Sequence, residues 1–472
     1  MVRVQYISTR GAAPTLAFDD VLLAGLARDG GLYVPDTWPR FTAEELRSFR
    51  GLPYAELAAR VMLPFLGGRV DEQAFRALVR DAYGSFAHKA VVPLVQLDER
   101  TWVMELFHGP TLAFKDVALQ LLGRLFDHVL GQRGERVTVV GATSGDTGSA
   151  AIEACRDRER VDIVILHPHN RTSAVQRRQM TTVLSPNVSN VALQGTFDDA
   201  QDAVKAMFND QPFRDGLNLS AVNSINWARI MAQIVYYVAA GVALGAPDRE
   251  VAFAVPTGNF GNVYAAYAAR AMGLPVAKLV VGTNSNDILA RFFQSGTMWA
   301  NGVTPTISPS MDIQVSSNFE RLLFDLMDRD GAATAQVMAE FRATGRFAVS
   351  QGQLARALAL FEGHRCGEAE TMETMASTYR ETGYMLDPHT AVGLHAARSA
   401  KLDPGIPVVA LACAHPAKFP DAVEQATGVR PGLPRHLSDL FEREERLSVL
   451  PNDIDVLKDF VRARSRVAAG VA

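Results

Sequence analysis

The sequence predicts an α/β fold built on doubly wound sheets, with a mostly helical N-terminal domain in front. Three observations carry this expectation. Short apolar runs of the kind buried in parallel sheets recur along the chain, each is followed by a turn rich in Gly or Ser, and each turn leads into a helical pattern. The runs lie in VTVVGATSGDTGSAAIEACRD (137–157), VDIVILHPHN (161–170), VAFAVPTGNFGNVYAAYAARAMG (251–273), KLVVGTNSND (278–287) and PVVALACAHPAKF (407–419). Strand alternating with helix implies βαβ units, and such sheets bind ligands outside the carboxyl ends of their strands. The motif-bearing turns should therefore gather at one sheet edge although they are far apart in sequence.

Taken in order, the segment from Phe18 to Phe75 alternates amphipathic helical patterns (DDVLLAGLA, TAEELRSF, PYAELAARVMLPFL) with the turn-rich DGGLYVPD, where Gly30, Gly31 and Pro35 break the period. This predicts a mostly helical domain over 1–95, a first α/β domain over 96–245 and a second over 246–472. The apolar stretch from Ile230 to Ala246 falls short of the roughly 20 residues a membrane span needs and contains Gln233, so it reads as a buried helix. No repeat recurs that would indicate a solenoid.

Composition narrows the function. The 472 residues carry 47 Lys and Arg against 51 Asp and Glu, and no basic cluster, so nothing in the charge calls for a nucleic-acid partner. With 48% hydrophobic residues the chain is neither disordered nor collagen-like. Cys155, Cys366 and Cys413 are widely spaced and odd in number, which fits a reducing cytoplasm better than a disulfide framework. The opening MVRVQYISTRGAAP has no apolar core of a signal peptide. A cytoplasmic protein without a membrane partner is expected, either monomer or homodimer.

Four turns carry candidate chemistry. In ELFHGPTLAFKDVAL (105–119), Lys115 stands at a predicted helix start amid Ala113, Phe114, Val117 and Leu119. Desolvation there disfavours the ammonium form and leaves a nucleophilic amine suited to a Schiff base; the plain alternative is a lysine that snorkels to water or pairs with Asp116 or Asp127. The turn from Gly141 to Gly148 (GATSGDTG) offers backbone amides, the Ser144 and Thr147 hydroxyls and a helix N-terminus, which together suit an anion. It has neither the G-K-[ST] of a P-loop nor the full dinucleotide fingerprint. Pro256 to Asn262 (PTGNFGN) repeats the design, so two anionic groups are implied. In NSINWAR (223–229), Arg229 is placed to grip an oxyanion, while Asn223 or Ser224 serves as the helix N-cap on the plainer reading. Thr390 in DPHTAVG (387–393) reads on general grounds as an N-cap, and His415 in AHPAK as an ordinary polar residue. His167 and His169 lack metal-site spacing and are read as structural; no metal is expected.

Together, YISTRG (6–11), DGGLYVP (29–35), ELFHGPTLAFKD (105–116), ATSGDTGSAA (142–151), NSINWAR (223–229), PTGNFGN (256–262), DPHTAVG (387–393) and AHPAKF (414–419) resemble the threonine synthase family of pyridoxal-phosphate enzymes, in the type with an N-terminal extension. The resemblance runs almost end to end and implies the fold type II architecture. It implies that Lys115 carries pyridoxal 5'-phosphate and acts as the base. It also implies that Gly258, Asn259, Phe260 and Gly261 hold the cofactor phosphate, and that Thr390 faces the pyridine nitrogen. Ser144, Gly145, Asp146 and Thr147 would receive the substrate carboxylate, and Asn226, Arg229 and Lys418 its phosphate. The implied reaction converts O-phospho-L-homoserine and water into L-threonine and phosphate. Alternatives are a related phospho-lyase that releases a keto acid and ammonia, and a silent cofactor-binding homologue. A nicotinamide dehydrogenase is disfavoured by the missing fingerprint.

Overall fold

The computed structural model describes residues 4–221 and 224–467. The chain packs as two compact units, one of Met1–Arg80, His88–His108 and Ser224–Pro431, the other of Asp81–Ala87, Gly109–Asn223 and Gly432–Ala472. Boundaries near 95 and 245, expected from sequence, do not coincide with these units. Strands Leu94–Gln96 and Thr101–Glu105 belong to the larger unit's sheet, and the C-terminal strand Ser448–Pro451 pairs in the smaller one. Sheet pairing, which composition does not reveal, decides the division.

The larger unit is built on six strands in the order Phe361–Arg365, Val276–Thr283, Val251–Pro256, Val408–Ala412, Thr101–Glu105 and Leu94–Gln96. All neighbours are parallel except the last pair. The two central strands, Val251–Pro256 and Val408–Ala412, are buried along their whole length, as parallel strands covered on both faces must be. In the smaller unit five strands are parallel throughout, in the order Ser448–Pro451, Val188–Gln194, Val161–Pro168, Val137–Ala142 and Leu219–Ser220. The predicted strands thus exist, but their turns divide between two sheets instead of gathering on one.

The N-terminal region is mostly helical, with Phe18–Ala24, Ala43–Ser48, Tyr54–Met62 and Glu72–Gly84. The second of these helices opens on a capping box between Thr42 and Glu45. DGGLYVP is more than a turn: Tyr33–Pro35 pairs antiparallel with Tyr6–Ser8, so two distant motifs make one small sheet. The apolar run after 226 is the buried helix Trp227–Ala243, and among the described residues no helix is long and apolar enough to cross a membrane.

In the smaller unit, helices Lys115–Arg133 and Asp146–Cys155 approach closely at Gly123, where a Cβ would lie 2.2 Å from the Ala154 carbonyl oxygen. Gly123→Ala must push two helix backbones apart, so we expect a loss of about 1–3 kcal/mol, visible as a lower midpoint in urea unfolding. An unchanged midpoint would show that the helices can separate freely.

Candidate active site

Lys115 is the first residue of helix Lys115–Arg133 and is only 8% exposed, so its amine does not snorkel to water. Its Nζ lies 3.6 Å from Asp146 Oδ2 and 5.0 Å from the centroid of the Phe114 ring. The neighbouring Asp116 carboxylate accepts from the Thr111 amide at 2.8 Å and the Thr111 hydroxyl at 2.6 Å, while Asp127 accepts from the Arg160 amide at 2.7 Å.

Asp146 begins helix Asp146–Cys155, three residues earlier than the apolar pattern indicates, which places it and Thr147 in the first turn. The Asp146 side chain is buried and accepts through Oδ1 from Gln176 Nε2 at 2.9 Å. The loop ahead of it is closed by Thr143, whose hydroxyl oxygen accepts from the Gly145 and Gly148 amides at 3.0 and 2.9 Å. Those two amides are therefore committed, whereas the Thr147 amide has no protein acceptor among the described residues. Ser144 is exposed and Thr147 half-buried. The parts of this loop suited to an anion are thus its Ser144 and Thr147 hydroxyls and the Thr147 amide.

In the larger unit, Gly258, Asn259 and Phe260 link strand Val251–Pro256 to helix Gly261–Ala271. Phe260 turns the chain with φ 61°, and its amide donates to Thr257 Oγ1 at 3.2 Å. The Gly258 carbonyl accepts from the Ser316 hydroxyl at 2.6 Å, and the Asn259 carbonyl accepts from the Asn318 amide and side chain, each at 3.0 Å. With the carbonyls tied back, the amides of Gly261, Asn262 and Val263 have no protein acceptor among the described residues. That is a helix N-terminus prepared for an anion such as a phosphate.

Asn226, rather than Ser224, is the N-cap of helix Trp227–Ala243; Asn223 lies outside the described residues. Its Oδ1 accepts from the Ala228 amide at 2.9 Å and its Nδ2 donates to the Leu22 carbonyl at 2.8 Å, so both polar atoms work inside the protein. Arg229 differs. It is 3% exposed, Nε and Nη1 find no partner among the described residues, and burial pushes its pKa down to about 10. It stays charged at neutral pH, and a buried guanidinium with unmet donors needs an anion to complete it.

Thr390 is not an N-cap. Asp387 caps helix Pro388–Ser399, accepting from the His389 amide at 2.9 Å, and also receives the Thr390 hydroxyl proton. Thr390 Oγ1 in turn accepts from the Cys413 amide at 3.2 Å. Lys418 is fully buried in the turn Pro416–Lys418, which His415 caps by accepting from the Ala417 amide at 3.1 Å.

Thr143, Ser173, Gln176 and Asp387 escaped the sequence reading. Three had signals: Ser173 and Gln176 stand in the S-x-x-Q spacing of a helix start, and Asp387 precedes a proline at the first helical position.

A buried amine and a helix N-terminus suited to an anion are groups that a pyridoxal-phosphate-dependent enzyme can use, and residues 88–414 match the family model of pyridoxal-phosphate dependent enzymes. Residues 5–83 match the model of the threonine synthase N terminus, and 390–461 that of the threonine synthase C-terminal region. The threonine synthase of Pseudomonas aeruginosa is 59% identical over 97% of this chain and 98% of its own. The PLP-bound threonine synthase structure from Brucella melitensis superposes with a TM-score of 0.97 at 54% identity, covering 98% of this chain and all of that one. The yeast enzyme gives 0.93 at 39% identity, with 98% of each chain covered. The chain belongs to the threonine synthase family, a family of pyridoxal-phosphate-dependent lyases.

His167, read as structural, is 1% exposed on strand Val161–Pro168. Burial pushes its pKa below the ordinary value. The folded state keeps this ring neutral while the unfolded ring takes a proton near pH 6.5, so stability is lost as the pH falls below about 6.5. His167→Leu should flatten that decline, measured as urea midpoints at neutral and mildly acidic pH; an identical slope would assign the decline to other groups.

Proposed function

We propose that this chain converts O-phospho-L-homoserine and water into L-threonine and inorganic phosphate, with Lys115 as its catalytic base. The observation that carries the reading is the Lys115 amine, held out of water at a helix start against the Asp146 carboxylate. When bound, pyridoxal 5'-phosphate supplies an electron sink for negative charge developing on the substrate carbons. Lys115 is the group for its aldehyde, and Gly258, Asn259, Phe260 and Gly261 form the turn for its phosphate, through the first-turn amides. Thr390 is the partner of its ring nitrogen: with its proton given to Asp387, its oxygen is left as an acceptor.

The remaining residues handle the substrate. The Ser144 and Thr147 hydroxyls with the Thr147 amide receive its carboxylate; Gly145 gives the loop its shape, and the Asp146 side chain serves the lysine instead. Arg229 and Lys418 supply cationic donors for its phosphate, where charge builds as the leaving group departs. Asn226 acts by holding the helix that carries Arg229. Lys115 takes the proton from Cα and, by swinging its amine, serves Cβ and Cγ. Three buried cysteines support a cytoplasmic setting.

Four measurements test this. Lys115→Ala should lower threonine formation by about 100-fold or more, and borohydride reduction of the holoenzyme should label Lys115 in a peptide map; wild-type turnover or an unlabelled site would refute the assignment. Arg229→Met should cost about 2–5 kcal/mol of affinity for the phosphorylated substrate and far less for a phosphate-free analogue; equal losses would make Arg229 structural. Phosphate and threonine released in equal amounts separate this reaction from a phospho-lyase, which would release keto acid and ammonia.

A further inference from the structure

Resting on the reading of Lys115 as the cofactor-bearing lysine, we propose that Gln176 is a positioning residue for its amine, acting through Asp146. The contacts form a chain within the smaller unit. Ser173 caps helix Ala174–Thr181: its oxygen accepts from the Gln176 amide at 3.2 Å and its hydroxyl donates to Gln176 Oε1 at 3.1 Å. That fixes the side-chain amide with its NH2 group turned away from Ser173. Nε2 then donates to Asp146 Oδ1 at 2.9 Å, and Asp146 Oδ2 faces Lys115 Nζ at 3.6 Å. Because a carboxylate only accepts, the amide nitrogen has to be the atom facing Asp146.

The placement of Gln176 is enforced by sterics as well as by hydrogen bonds. Its side chain lies over Gly145, where φ is 150° and a Cβ would sit 2.4 Å from Gln176 Cδ. Gln176 and Asp146 are 7% and 5% exposed, so the hydrogen bond between them is shielded from water, where such bonds are strongest. Other charged groups on the elements packed here have partners of their own. Asp116 takes the Thr111 amide and hydroxyl, Glu153 pairs with Arg156, and Arg177 and Arg178 both pair with Glu445. His167, on the adjoining strand, is kept neutral by burial. Asp146 is the acidic group through which helix Ala174–Thr181 acts on the amine.

A fixed carboxylate stabilises the ammonium form of Lys115 and aims its amine. Without the Gln176 donor the carboxylate rotates away, the ammonium loses part of its partner, and Lys115 gives up its proton at lower pH. The effect is read in the full-length chain freed of cofactor, by competitive acetylation with acetic anhydride, a neutral reagent, across a pH series with peptide mapping of Lys115. Asp146→Asn should acetylate about tenfold faster than wild type near neutrality, equivalent to a shift of about one pH unit. Gln176→Met keeps volume over Gly145 but removes the donor, and should shift the profile the same way, by about threefold. Gln176→Glu adds negative charge and should slow acetylation. In the holoenzyme Gln176→Met should lower kcat with KM nearly unchanged.

A Gln176→Met profile that overlays wild type would overturn the proposal, as would an unshifted Asp146→Asn. If Gln176→Met does not fold, Gln176→Glu decides: acetylation at or above the wild-type rate refutes the role. A Lys115 left unlabelled by borohydride in the wild-type holoenzyme would instead defeat the functional reading, while the acetylation profiles would still report on Gln176.

Discussion

An amine that is to attack an aldehyde and then carry protons must be kept from bulk water without being left as an uncompensated charge. Under the role proposed for Lys115, both demands fall on its amine. Burial at the first turn of helix Lys115–Arg133 removes the hydration shell, and Asp146 at 3.6 Å supplies the counter-charge. The surrounding motif reads as the means to this end. Thr111 donates from both its amide and its hydroxyl to Asp116, which clamps the loop onto the helix, and Leu112 is forced to φ 62°, a backbone state that costs a leucine free energy. Strain of this kind persists only where the surroundings overdetermine it, and here it fixes the entry of the chain into the helix that carries the lysine.

The N-terminal extension has a comparable physical task within the larger unit. Its two motifs pair as a small sheet, and that sheet is anchored by charges kept from water. Thr9 donates to Glu320 at 2.7 Å, Arg10 pairs with the same carboxylate at 2.9 Å, and the fully buried Arg321 donates to the Tyr33 carbonyl at 3.0 Å. Arg321 also reaches the Ile225 carbonyl at 2.6 Å, and Asn226 donates to the Leu22 carbonyl at 2.8 Å. The extension therefore grips the turn that opens helix Trp227–Ala243, three residues before Arg229. Removing a partner from such a buried ionic network costs more than removing a surface pair, because the charge left behind has no water to turn to. The helical start of the chain thus bears on a distant guanidinium through backbone carbonyls rather than by direct contact.

The strands were legible because each is a continuous apolar run, and the turns because glycines and hydroxyls follow each run at once. The helix at 227 was legible because it is apolar on every side. Sheet partnership was not legible: nothing in VTVV or VAFAV says which sheet it joins, and the return of Ser448–Pro451 to Val188–Gln194 spans more than half the chain. Local capping was misread where two polar residues compete. Asn226 won over Ser224 because its side chain could serve the Ala228 amide and the Leu22 carbonyl together, a partner 204 positions away in sequence. The S-x-x-Q spacing marked Gln176 as part of a helix start, but its contact with Asp146, thirty positions back, was not legible for the same reason.

Asp387 shows how a charge can be used at one remove. It is completely buried, and its oxygens take the His389 amide, the His389 ring and the Thr390 hydroxyl. A carboxylate so occupied has little capacity left for another cation, and its influence passes outward through the Thr390 oxygen. Under the proposed role of Thr390, the ring nitrogen of a bound cofactor would face a neutral oxygen whose basicity is raised by the carboxylate behind it. A direct carboxylate would hold the ring proton firmly and deepen the electron sink; a hydroxyl backed by a carboxylate gives an intermediate pull. That suits a reaction in which negative charge must be stabilised at Cα and then handed on to Cβ, because too deep a sink would strand the charge at the first carbon.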